Sequence, residues 1–418
     1  DYTAGRLTTG SCPTEGIVYF PEVLEFYLQH RSVGRLLQPP TPESPLGIVL
    51  ARLGYDSNAD ESNKASAAAA NSGIEGFLPS FSSSRLAAME FPLAWENSNE
   101  ISYARWRRNA RQYLRKCFLT PPELADFSDR NIDSEKREGY SAHKVELNLS
   151  RDCRVTAYVT IPDGEGPFPA VILLHDHGAE FRIGKEKMIR PWGDNAEKIE
   201  LANQWVEKYY GGRFLGDELA RRGYVCLAID ALNWSERGGA GFDGQQALAS
   251  NLMHQGMSLA GNIAWDDLRS VEYLRLRPEV HPQRIAAMGL SMGSFRTWQV
   301  AAMTDHIAAG VAICWLGTVQ TLQQPGNNQT KGHSAFSMLH PNLFNSLDYP
   351  DVASMACPKP MLFYNGRQDK LFPVDGVEQA YQKLNEVWES QRCEAALETR
   401  LLNVPHEFNA EMQDAAFA

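Results

Sequence analysis

The residues with the clearest capacity for chemistry form one short run, Gly289-Leu290-Ser291-Met292-Gly293. A serine hydroxyl is hardly ionised near neutral pH, so it attacks a carbonyl carbon only when a neighbouring base takes its proton. A G-x-S-x-G run helps when a strand leads into it and a helix leaves it. The sharp turn then strains the backbone and lifts the hydroxyl above the sheet, and glycines on both sides avoid clashes. Here the apolar run Ile285-Ala286-Ala287-Met288 precedes the serine, and Phe295 and Trp298 mark one face of a helix that begins directly after it. The first N–H groups of that helix would point at a developing oxyanion, which makes the Met292 N–H one expected donor.

The base should be a histidine beyond the last strand, and the chain has ten histidines. His406 follows the run Ala396–Pro405 directly, in Pro405-His406-Glu407-Phe408, and is the expected base. The acid that orients its imidazole should follow the preceding strand. That strand, Pro360–Gly366, leads into Arg367-Gln368-Asp369, so Asp369 is the expected acid, with Asp348 and Asp351 as rivals earlier in the chain. A second oxyanion donor is expected after the third strand, in Leu174-His175-Asp176-His177-Gly178. We assign it to the backbone N–H of His177, with Asp176 as the alternative. The pair His175-x-His177 could also share a zinc ion, but the loop lacks a further Asp-His pair, so no metal and no other cofactor is expected.

These residues need a scaffold that presents strand ends side by side. From about residue 143 onward, two alternating half-buried segments are followed by six apolar runs bounded by Pro, Gly or Asp, with helix-like stretches between the runs. That rhythm predicts an α/β fold with a mostly parallel eight-stranded sheet and helices on both faces. Two connections, about 181–212 and 318–350, are too long for simple crossovers and are expected to build the binding pocket. Residues 1–118 differ in character and read as an N-terminal extension ahead of a catalytic domain at 119–418. The stretch Asp56–Ser84 is small, polar and turn-rich, which predicts a loop. Across 102–118, Trp106, Ala110, Tyr113, Leu114 and Cys117 recur at helical spacing among arginines, predicting one amphipathic helix whose basic face is solvated or packed on acidic neighbours.

Composition narrows the function classes. With 418 residues, 43% hydrophobic, the chain can bury a large core, and its formal charge of -11 disfavours nucleic acid as a partner. The longest apolar run, Ile307–Gly317, is too short to span a membrane. The seven cysteines contain no CxxC pair, and Cys226 and Cys314 sit in apolar runs as expected core residues. Residue 1 is Asp with no leader pattern after it, which leads us to expect a removed leader and a periplasmic or secreted protein.

Together the runs HDHG, GLSMG, NGRQD and PHEF, with the helix YARWRRNARQYLRKCF ahead of them, resemble bacterial α/β-hydrolases related to dienelactone hydrolases and acetyl xylan esterases. The resemblance extends to longer esterases of Bacteroidetes polysaccharide-degrading systems, including pectin methylesterase-type enzymes, and covers roughly residues 100–418. It implies an α/β-hydrolase fold and a carbohydrate ester as substrate. One departure is plain: dienelactone hydrolases use a cysteine nucleophile, and position 291 is serine.

The expectation is therefore a serine carboxylic-ester hydrolase acting on a plant cell-wall polysaccharide or oligosaccharide, on uronate methyl esters or on sugar O-acetyl groups. A polyuronate would suit a basic rim of Arg182, Lys185 and Lys187 beside the oxyanion loop, set against the reading of a solvated charged loop. Asp176, Trp234 and Trp315 are further candidate substrate contacts, the tryptophans as sugar platforms. Alternatives are a deacetylase for neutral substrates, a peptidase of the prolyl-oligopeptidase type, and a non-catalytic carbohydrate-binding protein. The first 118 residues show no repeat from which the propeller of such a peptidase could be built.

Overall fold

The computed structural model describes residues 73–98, 101–327 and 334–418, together with two short strands near the N-terminus. The chain divides into two compact units, Asp1–Ala70 and Asn71–Ala418. In the first, Tyr2–Thr3 pairs antiparallel with Arg6–Leu7. Most of the stretch expected to be a loop, 56–72, lies outside the described residues. Its remainder forms a small hairpin, Ile74–Glu75 against Leu78–Pro79, and enters a short helix at Ser82.

The second unit is built on a nine-stranded sheet. Its strands are β1 (Arg130–Arg137), β2 (Tyr140–Ser150), β3 (Cys153–Pro162), β4 (Phe168–Leu174), β5 (Val225–Ile229), β6 (Val280–Leu290), β7 (Ala309–Ile313), β8 (Met361–Gly366) and β9 (Leu397–Leu402). They lie side by side in the order β9-β8-β7-β6-β4-β5-β3-β2-β1. The pairs from β5 to β9 are parallel, and β1, β2 and β3 add on antiparallel. Eight of these strands are those expected from the alternating segments and the apolar runs. The ninth, β1, is a correction: it reads RNIDSEKR and is almost wholly exposed, so an edge strand with no buried face left no alternation to detect.

Side-chain alternation divides the core between the two faces of the sheet. Ala170, Ile172 and Leu174 of β4 join Val225, Leu227 and Ile229 of β5 in one apolar cluster, whereas Val171, Leu173, Cys226 and Ala228 point into the other. The first face is covered by α1 (Tyr103–Cys117), α5 (Leu259–Leu276) and α6 (Met292–Met303). The opposite face carries α2 (Ala196–Tyr209) and α3 (Leu215–Arg221).

Helix α1 matches the expected amphipathic segment but not the expected domain border. Ser102 accepts from the Arg105 N–H as its N-cap, and Tyr103, Trp106, Ala110, Leu114 and Cys117 are buried in the first cluster. The Trp106 indole N–H donates to the Leu93 carbonyl at 2.8 Å, and the Tyr103 hydroxyl bonds the carbonyls of Ser354 and Cys357. On the outer side Arg111 pairs with Asp305 at 2.8 Å. The helix is thus part of the compact unit that begins at Asn71, not of a separate extension ending at 118.

Beyond β4 the chain first goes to β5 on one side and then crosses to β6 on the other. In open α/β sheets such a reversal opens a crevice at the carboxyl ends of the strands.

Candidate active site

Ser291 stands at the carboxyl end of β6 and caps α6, with φ 57° and ψ -123°. A non-glycine residue held there stores roughly 1–3 kcal/mol of backbone strain, sustained only by surrounding structure. That structure is visible. The Ser291 N–H donates to the Ile313 carbonyl at 2.8 Å. A Cβ on Gly293 would lie 1.8 Å from the Leu174 carbonyl oxygen, and one on Gly289 would lie 2.5 Å from the same oxygen and from the Gly293 backbone. Both glycines therefore let β6, the turn and β4 close onto one another.

Asp369 and His406 meet at the ends of β8 and β9. His406 Nδ1 lies 2.6 Å from Asp369 Oδ2, and Leu371 N–H donates to Asp369 Oδ1 at 2.9 Å. A carboxylate partner requires the proton on Nδ1, which leaves Nε2 of the neutral ring as the basic nitrogen. The two loops are joined by main-chain bonds that prolong the sheet: Arg367 N–H to the Leu402 carbonyl and Gln368 N–H to the Val404 carbonyl. Gly366 allows this approach, since a Cβ there would sit 2.3 Å from the Val404 oxygen and 2.7 Å from that of Pro405. The rivals Asp348 and Asp351 are occupied elsewhere, in the capping box of α7 (Tyr349–Ser354).

Ser291 and His406 both line one cleft of about 420 Å³, and His177 and Gly178 of the loop after β4 line it too. Its other walls are Trp205 and Tyr209 from α2, Phe242 from α4 (Gly241–His254), and Met338 and Leu371. Both long connections thus supply walls. These wall residues were not singled out from the sequence. Trp205 and Tyr209, four apart on one helix, carried a detectable signal, but Phe242 and Met338 are isolated apolar residues in loops or at a helix start and carried none.

The family model described as the Abhydrolase family matches residues 87–394, more than half of the chain. This chain belongs to the Abhydrolase family. Among curated proteins, YtaP of Bacillus subtilis (strain 168), named as a hydrolase, is 28% identical over 291 residues, 68% of this chain and 89% of its own length. Among solved structures, one described as an acetyl xylan esterase from Bacteroides fragilis NCTC 9343 aligns with a TM-score of 0.62 at 18% identity, covering 77% of this chain and 80% of its own. A glucuronoyl esterase from Solibacter usitatus aligns with a TM-score of 0.55 at 11% identity, covering 77% and 92%. At such identities these structures establish the α/β-hydrolase fold. No helix among the described residues of this family member is long and apolar enough to cross a membrane.

The expected basic rim is not a rim. Lys185 is fully buried, with its ammonium 2.9 Å from Glu186 and 2.8 Å from Asp230. Burial alone would lower its pKa, but those carboxylates, with Glu236, together outweigh burial and push it up. Lys187 is also fully buried, against Asp176. Arg182 is exposed, yet it is bound by Glu180 and Glu197. A loop rich in charge folds inward here because its acids and bases satisfy one another. The two candidate sugar platforms are also corrected: Trp234 and Trp315 are 0% and 1% exposed, locked in aromatic clusters with Phe181 and Phe295 respectively. Asp176 borders the cleft, but its carboxylate accepts from Trp205 Nε1 at 3.1 Å, Tyr210 hydroxyl at 2.7 Å and Lys187.

The two loop histidines do not converge on a metal. His175 Nε2 accepts from the Ala231 N–H and its Nδ1 faces the Asp176 carbonyl, whereas His177 Nε2 faces Gln245 and its Nδ1 accepts from the Ala179 N–H. Cys314 lies with its sulfur within 4.8 Å of the Asp369 and His406 ligand atoms, but burial pushes its thiol pKa up and keeps it protonated. As expected, Cys226 and Cys314 are core residues. Arg296 forms a buried, two-pronged pair with Asp267.

Proposed function

We propose that this protein is a serine carboxylic-ester hydrolase that removes a small neutral acyl group, acetyl above all, from a carbohydrate. In this reading His406 Nε2 takes the Ser291 proton as the hydroxyl attacks the ester carbonyl. Asp369 holds the imidazole in the required tautomer and stabilises its protonated form. The N–H groups of Met292 and His177 stabilise the tetrahedral oxyanion. Collapse expels the sugar alcohol, protonated by His406, and water activated by the same nitrogen hydrolyses the acyl-serine.

The observation that carries the serine reading is a strained Ser291 at the rim of the same cleft as a histidine hydrogen-bonded to a buried carboxylate. The preference for a neutral substrate rests on charge. Among the described residues no arginine or lysine lines the cleft, the basic residues described beside it are buried or paired, and the chain carries a formal charge of -11. A polyuronate would meet net repulsion with little to offset it. Exposed aromatic surface, by contrast, suits the apolar faces of a sugar ring, and Phe242 is 38% exposed.

Turnover of p-nitrophenyl acetate should vanish in Ser291→Ala while the circular dichroism spectrum stays unchanged; persistent turnover would refute the mechanism. On acetylated xylan and methylated pectin assayed in parallel, acetate is the expected product. Methanol release without acetate would overturn the neutral-substrate reading and leave the serine mechanism intact.

A further inference from the structure

We propose that Lys187, His175 and Asp176 are positioning residues that aim the His177 N–H at the reacting ester, an inference that rests on the serine mechanism above. The argument starts from the peptide group between residues 176 and 177. A trans peptide is planar, so its C=O and N–H point in opposite directions. Whatever fixes the Asp176 carbonyl therefore fixes the His177 N–H. Two donors hold that carbonyl from the protein interior: Lys187 Nζ at 3.1 Å and His175 Nδ1 at 2.8 Å. The Nδ1 proton is set by the rest of the molecule, because His175 Nε2 already accepts from the Ala231 N–H at 2.9 Å. With the carbonyl turned inward, the N–H turns outward, to the side where the loop borders the cleft.

Lys187 does more than bind one carbonyl. Its three ammonium protons match three acceptors, the Asp176 carbonyl, the Asp176 carboxylate at 3.3 Å and the His177 carbonyl at 3.2 Å. It thereby fixes two consecutive peptide planes. A fully buried ammonium is costly unless its protons are satisfied, and a purely apolar residue could fill the volume without that cost. The Asp176 carboxylate extends the brace to the cleft wall, through Trp205 Nε1 and the Tyr210 hydroxyl. Trp205 in turn packs against Gly178, where φ is +56° and a Cβ would come within 2.1 Å of the indole. The oxyanion loop and the aromatic helix α2 are therefore one mechanical piece.

The decisive variant is Lys187→Met, which keeps the stem and removes all three donors. Losing one oxyanion donor costs about 10²–10³ in kcat. For Lys187→Met on p-nitrophenyl acetate we expect kcat to fall about 10²-fold, with KM within about threefold of the parent. Affinity for a boronic acid, whose tetrahedral serine adduct places an oxygen where the oxyanion forms, should weaken in parallel. A variant that melts earlier but keeps its kcat and its boronate affinity would show a purely structural lysine and overturn the proposal. If Lys187→Met does not accumulate folded, Asp176→Asn, of the same shape, gives the same readouts and the same refuting outcome. Because Ser291→Ala tests the parent mechanism, a dead Ser291→Ala beside an unimpaired Lys187→Met would sink the brace alone.

Discussion

Replacing Gly366 by alanine should disable catalysis without touching a reacting group. The added Cβ would meet the Val404 carbonyl oxygen at 2.3 Å and that of Pro405 at 2.7 Å. A tolerable carbon–oxygen contact is about 3.3 Å, so the β9 side must retreat by about 1 Å. The retreating atoms are main chain, directly before His406, and are tied to the Asp369 loop by the bonds from Arg367 and Gln368. Those bonds stretch or break, and the 2.6 Å contact between His406 Nδ1 and Asp369 Oδ2 opens with them. A 1 Å misplacement of a reacting group costs about 10²-fold in rate, equivalent to about 2.7 kcal/mol of activation free energy. Overpacking of this kind costs stability by about 1–3 kcal/mol as well, so the fold should survive. The assay is kcat/KM on p-nitrophenyl acetate at saturating structural integrity, checked by circular dichroism and the melting temperature. A Gly366→Ala protein that retains kcat/KM within threefold of the parent would refute the claim that this glycine sets the His406 position.

Two other perturbations probe the frame. Asp348 is buried beside Asp351, and burial, then Asp351, push its carboxyl pKa up to about 7; the folded protein holds a proton that the unfolded chain releases near 4, so this group's contribution to stability falls as pH rises from about 4 to 7. The melting temperature of Asp348→Asn relative to the parent should accordingly climb from pH 5 to pH 8, and a pH-independent difference would count against it. Trp106→Ala should cost about 3–5 kcal/mol in denaturant unfolding, as for a fully buried tryptophan; a loss below about 1 kcal/mol, expected of a dispensable extension, would contradict the packing of α1.

Much of this arrangement was legible in the sequence because it depends on local order. Ser291 and His406 follow an apolar run directly and Asp369 stands just beyond one, and strands that run parallel bring such positions to one edge. What escaped reading depends on partners far along the chain. Lys185 and Lys187 look like surface charges until Asp230, at the end of β5, and Asp176, earlier in their own connection, are seen to enclose them. Trp234 and Trp315 look like platforms until their neighbours bury them. The change of composition near residue 118 is real, but composition does not reveal that the apolar face of α1 completes the core of the sheet. Gly366 carries no signal of its own, because its necessity arises from the main chain of Val404, 38 residues away.

The joining of Asp176 to Trp205 and Tyr210 bears on how specificity in this fold could be re-engineered. The cleft walls and the reacting groups come from different connections, which invites transplanting one wall at a time between relatives. Yet a graft with a junction between residues 177 and 205 would separate an acid from the indole and phenol it binds, and would spoil the proposed oxyanion loop along with the wall. The natural unit of exchange runs from the end of β4 through Tyr210 as a single cassette. The second connection, which contributes Met338, has no comparable tie to the oxyanion loop among the described contacts and is the safer first target for altering the substrate range.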